Sequence, residues 1–317
     1  MMWLLWIILI LILTLILIGY FFLLRYFFRF ALDPGLKTDI GMVGKGTKYE
    51  PEVTIGYQWL HDHDKERYTT ISFDGLTLHG HFFPAENAKR TILFFHGWRG
   101  GWDKDFAPFI TWFHKNNCHL LLVEERAQGN STGKYMGMGI LERKDVLTWL
   151  SFYQKEKGPS LGSLPIYLMG VSMGASTVLM SAGEELPKQV KGIIADCGFS
   201  NPYEMFKNYG KRIFHIPEFP LLFHLNHLCK RKISFSLKDY SVEQAMETCE
   251  LPILFIHGAA DTFVLPSMTE KNYQRCHSKK SILVIDEAEH CMSFLVGKEA
   301  YTQALKQFFC ENDTDFS

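Results

Sequence analysis

A serine, an aspartate and a histidine in that chain order can carry out acyl transfer, and Ser172, Asp261 and His290 are the set singled out by spacing. A serine hydroxyl is a weak nucleophile alone. It needs a base within hydrogen-bond reach, and the base needs a third group to fix its tautomer. Gly-x-Ser-x-Gly, the pattern that sets such a serine on a sharp turn, occurs three times: around Ser131, around Ser160 and around Ser172. The mechanism requires a strand running into the turn and a helix leaving at once. Only Ser172 has that context, between the apolar run Pro165–Met169 and the helical stretch Met173–Glu185. Ser131 comes several residues past its strand, and Ser160 follows Lys155-Glu156-Lys157 in what reads as a turn. For Ser172 the ordinary alternative is a helix-capping serine.

Asp261 follows the apolar run Ile253–Ile256, and His290 follows the run Ser281–Ile285. The acid and the base therefore stand at consecutive strand ends, in the order Ser, Asp, His. Asp196, at the end of Val190–Ala195, is the alternative acid. A solvated turn is the ordinary role for an aspartate such as Asp261, and a plain loop position for His290. An oxyanion needs two backbone donors. The N–H of Met173 is one candidate. The N–H of Trp98, in the loop His96-Gly97-Trp98-Arg99-Gly100-Gly101, is the other; a glycine-rich turn with no catalytic donor is the alternative. Arg99 suits an anionic substrate or the surface. His61-Asp62-His63-Asp64 has metal-like residue types, but Lys65, Glu66 and Arg67 beside it make it read as a solvated face, and no metal is expected.

The elements that must position these residues alternate. Tyr68–Phe73 and Leu76–Phe83, joined at Asp74-Gly75, predict a β-hairpin. Buried strands are expected at Thr91–Phe95, His119–Val123, Ile166–Met169, Val190–Ala195, Ile253–Ile256 and Ile282–Ile285. Helices are expected at Asp105–Lys115, Ile140–Tyr153, Met173–Glu185, Pro266–Cys276 and Ser293–Phe309. Strands alternating with helices of this length predict an α/β, mostly parallel, doubly wound sheet. Ligands of such sheets bind beyond the carboxyl ends of the strands, where Ser172, Asp261 and His290 all fall.

With 317 residues, 47% of them apolar, the chain has ample material for a core and is no disordered segment. A net charge of −1 argues against a nucleic-acid partner. The seven cysteines include no Cys-x-x-Cys and are expected as reduced thiols. From Met1 to Leu24 there is no charged side chain. That length of helix, about 36 Å, crosses a hydrocarbon core. A cleaved signal peptide would carry a basic start and a small-x-small exit, which this stretch lacks. Arg25, Arg29 and Lys37 follow the span, so the positive-inside rule places the body on the cytoplasmic side of the cell membrane. Tyr20, Phe21, Phe22, Tyr26, Phe27 and Phe28 are expected as an interfacial belt. The predicted organisation is an anchor at 1–28, a linker at 29–50, a catalytic domain at 51–310 and a polar tail at 311–317.

Phe95-His96-Gly97-Trp98, Gly170-Val171-Ser172-Met173-Gly174, Asp261 and His290 together resemble the α/β-hydrolase superfamily. Glu124-Glu125-Arg126-Ala127-Gln128-Gly129-Asn130-Ser131 is similar to a segment of its serine aminopeptidase-like and acyl-peptidase-like branches, commonly Asp-x-Arg-Gly-His-Gly-x-Ser. This chain departs from it with Glu124, Ala127 and Gln128; the segment is structural in the family. The resemblance, to the membrane-anchored bacterial members in particular, implies hydrolysis of an ester, thioester or amide through an acyl-serine, with no metal or organic cofactor. A serine at the elbow argues against the dehalogenase-like and epoxide-hydrolase-like members, which carry aspartate there. It also implies a small helical cap at about 200–248. Residues 201–240 hold seven basic against three acidic side chains, interleaved with aromatics. Such a segment is expected either to pack on the domain or to lie on an anionic leaflet and admit acyl chains. A catalytically silent binding or scaffolding protein of the same fold is the alternative function.

Overall fold

The computed structural model describes residues 2–36, 43–161 and 164–313. Lys37 and Gly41 of the expected linker, Gly162 of the second Gly-x-Ser-x-Gly and residues 314–317 of the tail lie outside the described residues.

The chain opens with helix α1 (Met2–Leu32), followed by α2 (Glu50–Asp62). The hairpin forms β1 (Glu66–Ile71) and β2 (Thr77–Phe83), and β3 (Arg90–Phe95) leads to α3 (Ile110–Lys115). Then β4 (Cys118–Glu124), α4 (Glu142–Leu161), β5 (Ile166–Val171), α5 (Met173–Ser181) and β6 (Val190–Asp196) alternate. Three helices interrupt the rhythm: α6 (Pro202–Ile213), α7 (Leu221–Ile233) and α8 (Val242–Thr248). The chain closes with β7 (Ile253–Gly258), α9 (Pro266–Arg275), β8 (Lys280–Ile285), α10 (Ser293–Val296) and α11 (Lys298–Asn312).

The eight strands make one mixed sheet in the order β1-β2-β4-β3-β5-β6-β7-β8. The first two pairings are antiparallel and the others parallel. Side chains of a strand alternate between faces, and the two cores follow that alternation. Leu93, Phe95, Leu121, Leu168 and Ile193 point to the face covered by α4, α5 and α8. Ile92, Phe94, Leu120, Met169 and Ile194 point to the face covered by α2, α3 and α11.

Several expectations shift. The helix expected at Asp105–Lys115 starts at Ile110, because residues 101–109 turn repeatedly and Asp105 spends its carboxylate on the Gly97 N–H. The helix expected at Ser293–Phe309 breaks at Gly297 into α10 and α11. Ser160 lies in the end of α4 rather than in a turn. The last strand is half-open: Ile282 and Val284 are exposed because β8 is a sheet edge. Helix α2 was not legible as a helix, although Val53, Gly56 and Leu60 form its buried stripe. At Gly56 a Cβ would overlap the Ala107 carbonyl, so the helix meets the domain at a bare backbone.

Helix α1 runs past the expected end of the span. Residues 2–19 are exposed, whereas Phe28, Ala31 and Leu32 are buried in the core of the α/β domain. Phe28 packs edge-on to Tyr135, and the Leu32 carbonyl accepts from the Met136 N–H at 2.9 Å. By length and composition α1 is the one described helix fit to cross a membrane.

Candidate active site

β5 runs straight into α5, and Ser172 is the hinge residue. Its φ of 55° and ψ of −118° lie outside the regions open to ordinary L-residues, a strained turn held from both sides. The two flanking glycines are required by close approach. A Cβ at Gly170 would overlap the Gly174 carbonyl, and one at Gly174 would overlap the Phe95 carbonyl. The Ser172 N–H donates to the Asp196 carbonyl at 2.8 Å, fixing the turn to β6.

His290 brings the three residues together. Its Nε2 lies 2.8 Å from Ser172 Oγ and its Nδ1 lies 2.6 Å from Asp261 Oδ2. With Nδ1–H donating to the carboxylate, Nε2 is left to accept the serine proton. Asp261 is fully buried and its other oxygen accepts the N–H groups of Phe263 and Val264 at 2.8 and 2.9 Å. Burial raises its pKa, but hydrogen bonds from His257 and His290 outweigh that and hold it well below the usual carboxylate range. Burial lowers the His290 pKa. Cys197 and Asp261 drive it the other way, and the net direction is upward. Burial keeps the Cys197 thiol protonated and neutral, so Asp261 is the cause we assign.

The alternatives lie elsewhere. Asp196 accepts from Ser293 at 3.2 Å and Tyr301 at 3.0 Å. Ser131 Oγ donates to the Glu124 carbonyl at 2.6 Å and accepts the His79 N–H at 2.9 Å, tying β2 to its neighbour loop. Arg99 does not face the cleft as a substrate clamp: it donates to the carbonyls of Arg29, Phe30, Asp33 and Leu36, closing the end of α1. In the 61–64 segment, His61 pairs with Asp103 at 3.0 Å and His63 stacks on Trp59.

The backbone N–H groups of Trp98 and Met173 find no protein acceptor among the described residues. Met173 opens α5, where the first N–H groups have no helical partner. The loop bearing Trp98 is set by Asp105, which accepts the Gly97 N–H at 2.7 Å, and by His96, whose Nδ1 faces the Gly97 carbonyl at 2.9 Å. His96 Nε2 accepts the Glu125 N–H at 3.0 Å.

In the Glu124–Ser131 segment, Ala127 has a φ of 61°, the conformation that a glycine takes without strain. Glu124 reaches His81 at 2.7 Å and the Asn130 side chain at 3.0 Å; burial opposes its ionisation, but these partners pull its pKa down to about 2. Arg126 holds Asp145 in a bidentate pair at 2.7 and 2.8 Å and reaches Asp74 at 2.9 Å.

A cleft of about 480 Å³ opens over Ser172 and His290, walled by Phe30, Trp98, Tyr209 and Phe263. Sequence reasoning missed four features of the site. His257 sits 3.2 Å from Asp261; only its place four residues before the aspartate hinted at a role. Phe263 packs against the His290 ring at 4.9 Å. Phe30, from the end of α1, walls the cleft. The sulfurs of Cys197 and Cys291 lie 3.6 Å apart beside His290, with ligand atoms of all three within 4.8 Å of one another. Both His290 nitrogens are engaged, so a metal there would have to take one from Asp261 or Ser172.

No protein-family model matches the chain. It is 25% identical over 272 residues to YqkD of Bacillus subtilis, an uncharacterized protein, covering 86% of this chain and 87% of the relative. It is 25% identical over 227 residues to YfhR of Escherichia coli K12, also uncharacterized, covering 70% of this chain and 72% of the relative. Among solved structures, the Pyrococcus furiosus esterase Pf2001 superposes with a TM-score of 0.64 at 19% identity, over 87% of this chain and all 100% of the esterase. Est1E of Butyrivibrio proteoclasticus, solved with ferulic acid bound, superposes with a TM-score of 0.59 at 16% identity, over 77% of this chain and 99% of Est1E. The sheet order, the strand-to-helix hinge and the likeness to these solved structures show that the chain has the α/β-hydrolase fold.

Proposed function

We propose that this chain is a membrane-anchored serine hydrolase that cleaves a carboxylic ester, or a thioester or amide, through an acyl-serine intermediate. The observation that carries the reading is the unbroken relay from Asp261 through His290 to Ser172, at 2.6 and 2.8 Å. Ser172 Oγ attacks the acyl carbon while His290 Nε2 takes its proton. Asp261 keeps Nδ1 protonated and stabilises the imidazolium. The N–H groups of Met173 and Trp98 receive the oxyanion. His290 then protonates the leaving group, and water repeats the sequence on the acyl-serine.

Support for the anchor is the exposed apolar stretch 2–19 of α1; support for a cytoplasmic body is the pair Arg25 and Arg29 just after it. The experiment is hydrolysis of a short p-nitrophenyl ester by the full chain in detergent. Wild type is expected to turn over, and Ser172→Ala and His290→Ala to lose about a thousandfold or more. A wild-type protein that folds but hydrolyses no ester, thioester or amide would favour the silent scaffold instead.

A further inference from the structure

We propose that the space between α1 and the cap helices α6 and α7 is a conduit that takes the acyl chain of a membrane-resident long-chain ester from the bilayer to Ser172. This rests on the serine-hydrolase reading and narrows its substrate.

The cap descends alongside the anchor. Tyr20 Oη lies 2.6 Å from His224 Nδ1 of α7, and Phe27 packs edge-on to Phe214 at 5.3 Å. Tyr20 precedes the first charged residue, Arg25, by five positions, about 7.5 Å of helix rise. The start of α7 therefore sits at the level of the apolar stretch. There the chain shows water two large side chains, Phe219 just before α7 at 69% exposure and Phe223 within it at 56%, with Ile213 and Phe214 exposed as well. Exposed aromatics at that level suit the interfacial zone of a bilayer. Lys211, Arg212, Lys230, Arg231 and Lys232 are exposed on the same two helices, where anionic headgroups would meet them.

Behind this surface three spaces line up. The outer one lies between α1, α6 and α7, and its walls are apolar but for the Lys207–Glu218 pair and Tyr209. The middle one lies over Ser172 and Met173 and has no polar wall beyond the serine and the Tyr209 hydroxyl. The third is the cleft described above. Phe30 and Tyr209 wall all three, Phe206 joins the outer to the middle, and Ser172 lies on both the middle space and the cleft. The outer and middle spaces are narrow, about 50 and about 20 Å³. A chain therefore enters by turning Phe30, Phe206 and Tyr209 to other rotamers, the scale of change common on binding. The contacts from Tyr20 to Phe30 extend about 15 Å along α1, which is why a long chain is favoured over a short one. In the reaction Ser172 Oγ bonds to the acyl carbon, the ester C–O bond breaks and His290 gives its proton to the alcohol. Water then cleaves the acyl-serine to release the fatty acid.

The test is Gly210→Trp in the full chain in nanodiscs. Gly210 walls the outer space, and no atom lies within 4 Å of a Cβ there, so an indole can be added at that wall without striking the core. The ratio of kcat/KM on p-nitrophenyl palmitate to that on p-nitrophenyl acetate is expected to fall about tenfold or more. An unchanged ratio would overturn the proposal. A second measurement is independent of turnover. The Ser172→Ala protein in vesicles is irradiated with a diazirine-bearing palmitate, and the expected crosslinks fall within Phe27–Ala31 and Phe206–Phe214. Crosslinks confined to residues 2–24 would overturn the conduit. If wild type hydrolyses neither ester, the hydrolase reading fails and the crosslinking alone decides the conduit.

Discussion

The indole Nε1–H of Trp98 donates to the Ala31 carbonyl at 2.8 Å, so the loop beside Ser172 is tied to the last turn of α1. Helix α1 thus has two parts: an exposed rod at 2–19 and a buried terminal turn that belongs to the domain. Removing residues 2–24 is expected to leave the thermal midpoint within a few degrees of the full chain. Removing 2–32 strips Phe28, Ala31 and Leu32 from the core, about 4–7 kcal/mol of burial. The midpoint should then fall by about 10 °C or more. Thermal melts of the two truncations in detergent check this; equal midpoints would sever the terminal turn from the domain.

The relay has a pH signature. His290 must be neutral to accept the serine proton, and its pKa is raised by Asp261. The rising limb of kcat/KM is therefore expected above the ordinary histidine value of about 6.5. Asp261→Asn removes the charge that raises it. The limb should move to lower pH while the rate falls by about 10⁴. A limb that stays put in Asp261→Asn would mean that another group titrates.

Glu125 is buried with Glu142 and Asp145 near it, and its Oε1 has no hydrogen-bond partner among the described residues. Burial, first, and those two carboxylates push its pKa well up. A carboxyl whose folded pKa exceeds its unfolded value holds its proton more tightly when folded. Its stabilising effect is complete below the unfolded value, about 4.3, and is lost as pH rises toward the folded one. Glu125→Gln abolishes that loss. The variant is expected to melt at or above wild type, by a margin that grows from pH 5 to pH 8. A margin that shrinks over that range would contradict the assignment.

Arg126 holds Asp145 with both partners buried. Arg126→Met leaves that carboxylate without its counter-charge, and a loss of about 3–5 kcal/mol is expected in denaturant titrations. Adding Asp145→Leu should recover part of it. No recovery in the double variant would mean that the packing of the arginine, not its charge, is what matters.

The sheet was legible because its strands are apolar on both faces, and the hinge at Ser172 because glycine was demanded on both sides of it. Asp261 and His290 are singled out by their places at successive strand ends, and their side chains meet at 2.6 Å. What failed was tertiary in origin. Asp105 leaves the helical pattern to serve the Gly97 N–H, and β8 is an edge although it is as apolar as a buried strand. Arg99 looked like a substrate clamp or a surface charge; the carbonyls it closes are more than sixty residues away in sequence. Phe30 could not be read as a wall of the cleft, since nothing local says that the first helix ends inside the α/β domain.

The most direct measurement is peptide mass mapping after treatment of the folded full chain with a fluorophosphonate. One phosphonyl adduct is expected, on Ser172, abolished by His290→Ala. No adduct on Ser172, or one on Ser131 in its place, would contradict it.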